Sequence, residues 1–226
     1  MDTKDKMNIL RLRNQLGAPL PLIKDIYMKH MEANSSEDAI VAEIKTERRK
    51  IFEKIKQRPM EKTIFICKQD EQVIRVLKCQ TQTDYLPRTP EMQEIFHTLL
   101  NGAIDNQEQI SESYERLVVL ANENLQYELF TIPHKQYALC SFHKGIWSDL
   151  IIKGLTTAES MIIVEYSENK TDIANMIASK IFKYIQGLEN KSRIELNDEN
   201  LSKIFDEKII GKFHELKLLD YQVFFA

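Results

Sequence analysis

Residues 73–100 read VIRVLKC (73–79), QTQTDYLPR (80–88) and TPEMQEIFHTLL (89–100). The first piece is a β-branched, largely apolar run of strand length. The last opens with a helix-start signal: Thr89 suits the N-cap, Pro90 the first helical position, and Glu91 the positive end of the helix dipole. Met92, Ile95, Phe96, Leu99 and Leu100 then recur at i, i+3, i+4, i+7 and i+8, which predicts one apolar helical face. Between strand and helix stands Thr83-Asp84-Tyr85-Leu86, a carboxylate beside an aromatic on a short connection. Two readings of it are open. Either Asp84 caps a turn and Tyr85 tucks under the sheet, or the pair projects towards a partner.

Composition narrows the function classes. The chain has 226 residues, 43% hydrophobic and 29% charged, with net charge -3. That is a globular composition, long enough for one larger domain with a small one, or for two modest ones. No long basic block attracts nucleic acid, and no apolar run spans a bilayer, so neither a nucleic-acid nor a membrane partner is expected. The opening MDTKDKMNIL has early acids and no apolar core of a signal peptide. Cys67, Cys79 and Cys140 lack metal-ligand spacing and read as buried thiols of a reducing compartment. HExxH, CxxC, the phosphate loop, GxSxG and the dinucleotide fingerprint are all absent from the sequence. No metal or cofactor is expected, and the missing motifs lower the odds of an enzyme and its catalytic residues.

N-terminal to the opening stretch, residues 1–45 read as a three-helix module of the ubiquitin-associated (UBA-like) type. Its helices are Met7 to Leu16, ended by Gly17, then Leu22 to Met31, and Glu37 to Ile44 after the turn signal Asn34-Ser35-Ser36. Residues 46–58, TERRKIFEKIKQR, read as a separate, solvated connecting helix stopped by Pro59. Thr63 to Lys68 and Val73 to Cys79 form a hairpin across Gln69-Asp70-Glu71. On the other side, Asn101 to Asn106 is a loop, and Gln107 to Asn124 is ambiguous, since Leu117-Val118-Val119-Leu120 suits helix or strand. Leu125 to Ile132 and Gln136 to His143 alternate as strands with Pro133-His134-Lys135 as the turn; Ser148 to Gly154 is unassigned. Met161 to Tyr166 is a strand, and Thr171 or Asp172 caps a helix carrying Ile173, Ile177 and Ile181. Asn197 to Glu207 and Lys208 to His214 are helical, and Leu216 to Phe225 is of strand type. The plan strand, Thr-Asp, helix occurs twice, 88 residues apart, which suggests two related halves, 46–110 and 111–226. The fold class is α+β, with antiparallel sheets covered by helices behind the helical module.

Three segments resemble the elongation factor Ts family, the guanine-nucleotide exchange factors of elongation factor Tu. Leu12-Arg13-Asn14-Gln15-Leu16-Gly17-Ala18, with Lys24 downstream, is similar to that family's Leu-Arg-x-x-Thr-Gly-Ala signature, with Leu16 where threonine is usual. Gln80 to Gln93 is similar, without a gap, to its Asn-Cys-Glu-Thr-Asp-Phe-Val-Ala-(Arg/Lys)-Asn-x-x-Phe stretch, with Tyr85 for phenylalanine and Leu86 for valine. Met161 to Ile185 resembles the strand and helix of its second core half. The resemblance covers about residues 8–220. No segment matches the coiled-coil insertion of some members, and the chain stops near Phe225, where many members continue into a further module.

The resemblance implies a translation elongation factor that binds Tu, GDP-bound or nucleotide-free, and promotes GDP release so that GTP rebinds. It implies no covalent chemistry. Thr83, Asp84, Tyr85 and Leu86 would form the exchange wedge: Tyr85 between helices of Tu's GTPase domain, Asp84 near the switch helix and metal, Thr83 and Leu86 shaping the corner. Leu12, Arg13, Gly17 and Ala18 would dock the N-terminal module. Tyr137 to His143 and the Ile173 helix would grip a distal β domain of Tu, although Ile173, Ile177 and Ile181 also read simply as core. The implied compartment is the bacterial cytoplasm, with an organelle matrix as the alternative. Two other readings remain: a Ts-like or adaptor module that binds without exchange, and a small enzyme using Asp84 with His97 or His143 as acid and base.

Overall fold

Helix α1 (Thr3–Leu16) stops at Gly17, whose φ of +61° is a left-handed turn that glycine adopts without strain. The Gly17 N–H donates to the Arg13 carbonyl at 2.9 Å and closes the helix end. A Cβ here would stand 2.9 Å from Arg116 Cβ, so sterics and backbone conformation both require glycine. These features come from a computed structural model that describes residues 3–70, 73–102, 107–133, 138–143, 147, 149–166, 171–189, 194–216 and 218–225. Pro19 and Pro21 frame the start of α2 (Leu20–Glu32). Ser36 caps α3 (Glu37–Ile55), its Oγ accepting from Ala39 N at 3.3 Å. The three helices close on Leu12, Leu16, Ala18, Ile23, Ile40 and Ile44.

Helix α3 corrects the expectation for residues 46–58. No separate connecting helix exists, because α3 runs unbroken to Ile55. Its buried stripe is Ile40, Ile44, Arg48, Phe52 and Ile55, and the arginine in that stripe interrupts the apolar periodicity in the sequence. Arg48 is not solvated but 4% exposed. Its Nε donates to Glu115 Oε1 at 2.9 Å and its Nη1 to the Leu16 carbonyl at 2.5 Å, while Arg49 donates to Glu115 Oε2 at 2.8 Å.

The ambiguous segment is a helix, α5 (Gln107–Ala121), with α4 (Pro90–Leu100) before it. Ile110, Tyr114 and Val118 recur every fourth residue on its buried side. The Tyr114 hydroxyl donates to the Leu125 carbonyl, and its ring meets Phe52 and Tyr127 edge-on at 5.7 and 5.3 Å. Burial raises the Tyr114 phenol above the ordinary tyrosine range.

The chain divides into two units, residues 1–62 with 79–127, and 63–78 with 128–226. The expected boundaries near 45 and 110 fall inside α3 and α5. The second unit holds most of two sheets. β1 (Lys62–Gln69), β2 (Val73–Thr81), β3 (Leu125–Pro133) and β5 (Thr156–Ala158) are ordered β3-β2-β1-β5. β4 (Ala138–His143), β6 (Ser160–Tyr166) and β7 (Leu218–Phe225) are ordered β4-β6-β7 with antiparallel pairing. β3 and β4, expected to flank one turn, lie in different sheets; His134, Lys135 and Tyr137 are outside the described residues, as are Glu71, residues 103–106, and the side chains of Cys140, His143 and Thr171.

Strand β6 explains its own unbroken apolar run. Met161 and Ile163 pack with Phe65, Cys67, Ile74 and Val76 of the four-stranded sheet. Ile162, Val164 and Tyr166 face the other way, onto α6 (Thr171–Gln186), α7 (Asp198–Ile204) and α8 (Glu207–Leu216). A strand covered on both faces needs no polar alternation. Ile177 and Ile181 are fully buried in that helical layer, and Ile173 packs on it. The echo between the Thr-Asp pairs is only approximate: Thr83 and Asp84 precede α4 by several residues, whereas Thr171 and Asp172 open α6 itself. Among the described residues, no helix is long and apolar enough to cross a membrane.

Gly17→Val is expected to lower the unfolding free energy by about 2 kcal/mol or more, through forced left-handed backbone and the Arg116 clash. Arg48→Met should cost about 3 kcal/mol by leaving the Glu115 carboxylate underpaired, and exposed Arg49→Met under about 1 kcal/mol. Urea denaturation of the three variants checks this order; a midpoint for Gly17→Val equal to wild type would contradict the reading of the α1 end.

Candidate functional site

The site begins where β2 runs out of sheet partners at Thr81. The next backbone groups must find partners elsewhere, and the segment after α5 supplies them. Asn122, with φ +53°, ends that helix and turns Glu123 and Asn124 towards the strand end. Glu123, 6% exposed, places Oε1 2.7 Å from Thr81 Oγ1 and 2.8 Å from Thr83 N, and accepts from both. Gln82 N donates to the Asn124 carbonyl at 3.1 Å, and Asn124 N donates back to Gln82 Oε1 at 2.6 Å. The Asn124 amide reaches the Lys56 and Arg58 carbonyls at 3.2 and 2.5 Å, which ties the same segment to the end of α3.

On this base stands the corner. Tyr85 N donates to Thr83 Oγ1 at 3.1 Å, a local hydroxyl turn. A single 3-10 turn follows at Leu86–Arg88, then the α4 cap: Thr89 Oγ1 accepts from Met92 N at 3.3 Å and donates to the Leu86 carbonyl at 2.9 Å. Leu86 is 1% exposed and anchors the turn. Its neighbour Tyr85 is 62% exposed, so the ring is not tucked under the sheet. An aromatic left this open on an otherwise satisfied backbone is the unusual feature of the site.

Asp84 is half exposed. Its Oδ2 accepts from Arg88 Nε at 3.2 Å, one helical turn ahead, and its Oδ1 lies 3.7 Å from Lys62 Nζ. A hydrogen bond from its own backbone N–H, then the charges of Lys62 and Arg88, hold its carboxyl below the ordinary aspartate range. It therefore carries its charge at neutral pH. His97 is not among its polar partners within the described residues, and the His143 side chain lies outside them. Beneath the corner, burial and then Glu123 push the Cys79 thiol far up, so it is an inert core group. Among the described residues, no cluster of His, Cys, Asp and Glu could hold a metal.

The structure thus gathers Thr83, Asp84, Tyr85 and Leu86 into one corner. Leu12 and Ala18, at 1% and 0% exposure, and buried Gly17 are internal to the helical module, and of that group only Arg13 offers its side chain to solvent. The end of α1 is instead fixed from below: Arg116 Nη2 donates to the Asn14 carbonyl at 2.9 Å, beside the Arg48 bond to Leu16. Sequence reading missed Lys62, Arg88, Glu123 and Asn124. Arg88 carried a signal in its i+4 spacing from Asp84. Glu123 and Asn124 carried a weaker one in ANEN (121–124), a small polar break between two apolar runs.

By carboxyl NMR titration Asp84 should titrate below a free aspartate, and Arg88→Met should raise its pKa only in part, since the backbone bond remains. The sign is that of a depressed acid: any contribution to stability is present above the unfolded pKa, near 3.9, and lost as pH falls through the folded value. Leu86→Ala should cost about 2–5 kcal/mol and Tyr85→Ala under about 0.5 kcal/mol, read by urea denaturation.

No family model matches the chain, and no curated protein matches it either.

Proposed function

We propose that this protein is a guanine-nucleotide exchange factor of the elongation factor Ts kind, acting on elongation factor Tu through the corner at Thr83–Leu86. The observation that carries the reading is Tyr85, an aromatic 62% exposed beside an ionised Asp84 on a fully braced strand-to-helix corner. An exchange factor makes and breaks no covalent bond. It binds the nucleotide-free GTPase more tightly than the GDP-bound form, and by linkage weakens GDP by the same factor. The physical task is to displace elements that hold the β-phosphate and Mg²⁺ of the partner. A wedge does this only if it does not yield, and the Glu123 and Asn124 bonds supply that stiffness.

Within this reading Tyr85 inserts its ring between partner helices, with its hydroxyl finding a partner group or water. Asp84 brings negative charge towards the partner's metal site, exchanging part of its contact with Lys62 and Arg88 as it does so. Thr83 and Leu86 hold the geometry. Arg13 makes the contact of the helical module, while Leu12, Gly17 and Ala18 shape the end of α1 from inside. The reading carries with it the compartment of Tu, a bacterial cytoplasm or an organelle matrix.

The test uses Tu loaded with fluorescent GDP, chased with excess unlabelled GDP. The full chain should accelerate release, and Asp84→Ala/Tyr85→Ala should lose at least about tenfold of that acceleration while its urea midpoint stays near wild type. Binding to Tu without acceleration would favour an adaptor that does not exchange; absence of binding would refute the proposal.

A further inference from the structure

A second surface in the same unit lies between α4 and α5, and none of the residues assigned to the proposed exchange lines it. An open trough of about 420 Å³ runs between the two helices. Its floor is apolar, with Ile95 and Ile110 nearly buried, Leu117 partly so, and Leu120 45% exposed at one lip. On α4 the lining residues 91, 94, 95 and 98 span two turns, and on α5 they run from Gln109 to Leu120, about 16 Å of helix axis. A trough of that length suits an extended element rather than a compact ligand.

Charge says which element. Of the charged residues that line the trough, two are acids, Glu91 and Glu94 of α4, and one is a cation, Arg116 of α5. The α5 acids outside that lining include Glu112, 3.2 Å from Lys45 Nζ, and Glu115, bound by Arg48 and Arg49. Glu91 and Glu94, on the wall of the trough, have no cation within ion-pair distance among the described residues. Glu91 lies in the first turn of α4 and serves the helix dipole, but Glu94 lies beyond it and has no internal role. The lining cation, Arg116, already donates to the Asn14 carbonyl.

We infer that this trough docks a basic amphipathic helix of a partner protein: an apolar stripe at i, i+3, i+4 and i+7 on the floor, and lysine or arginine against Glu91 and Glu94. The inference goes beyond the exchange reading and does not rest on it. The partner helix buries Leu120 and Leu117, and its cations neutralise a wall that this chain leaves unpaired. Because those contacts are charge-assisted and partly exposed, binding weakens as salt rises.

The probe is a fluorescent synthetic helix of about five turns, with leucine at i, i+3, i+4 and i+7 and lysine elsewhere, titrated by anisotropy against the full-length chain at physiological ionic strength. A scrambled peptide of identical composition and a version with glutamate for every lysine serve as controls. The amphipathic lysine peptide should bind at least about tenfold more tightly than either control. Glu91→Lys/Glu94→Lys should weaken it at least about tenfold, and Leu120→Asp, at an exposed position that leaves the core intact, by a similar factor. Asp84→Ala/Tyr85→Ala should leave it within about twofold, which separates this surface from the corner whatever the GDP-release assay shows. Equal binding of the scrambled peptide, no binding, or indifference to the Glu91/Glu94 and Leu120 variants would overturn the inference.

Discussion

The corner depends on one buried carboxylate. Glu123 Oε1 accepts from Thr81 Oγ1 on the last residue of a strand and from Thr83 N two residues later. The reciprocal bonds between Gln82 and Asn124 close the same interval from the other side. Three consecutive residues are thus held by two, across the place where sheet hydrogen bonding stops. This matters for recognition because ordering a loose loop on binding consumes part of the interaction energy. A tyrosine carried on a backbone already fixed has less freedom to lose, and an exposed ring in that setting is a contact surface rather than a defect of packing.

A similar solution ends helix α1. Its last carbonyls cannot be satisfied within the helix, and they are met by Gly17 N–H, Arg48 and Arg116. Arg48 reaches its position because Glu115 accepts its Nε in the interior. Pairs of this kind contribute little net stability relative to apolar packing, but losing one partner leaves a costly buried charge. The pair therefore fixes an arrangement more than it strengthens the fold. Helix α5 is common to both devices: Glu115 and Arg116 lie on one turn, and Glu123 follows just past its end. The end of α1 and the corner are accordingly positioned by one helix.

That helix also divides its charges by face. Glu112 and Glu115 meet the cations of α3, while its lining of the trough carries the cation Arg116, and the acids of that trough, Glu91 and Glu94, come from α4. At the Tyr85 corner Asp84 stands between Lys62 and Arg88 beside an exposed ring, and in the trough Glu91 and Glu94 stand beside an apolar floor.

Local signals in the sequence settled what depends on neighbours a few residues away. The Thr89-Pro90 start of α4, the Gly17 stop of α1, the β6 run and the α6 face all stand where caps, breakers and periodicity put them, since each is fixed by spacing along the chain. The same is true of the Thr83–Leu86 corner as a segment: its residues, its turn chemistry and its place between strand and helix were legible. What the sequence left open was decided by residues distant in the chain. The α3 stripe was hidden because its middle member is an arginine made tolerable by Glu115, 67 residues on. Leu117 to Leu120 suited helix or strand until packing chose, and β3 and β4 separated into different sheets although nothing local marks the divide. Above all, whether Tyr85 faces inward or outward was undetermined by the sequence: its exposure follows from Leu86 taking the buried place and from Glu123, 40 residues from Thr83, holding the turn that separates them.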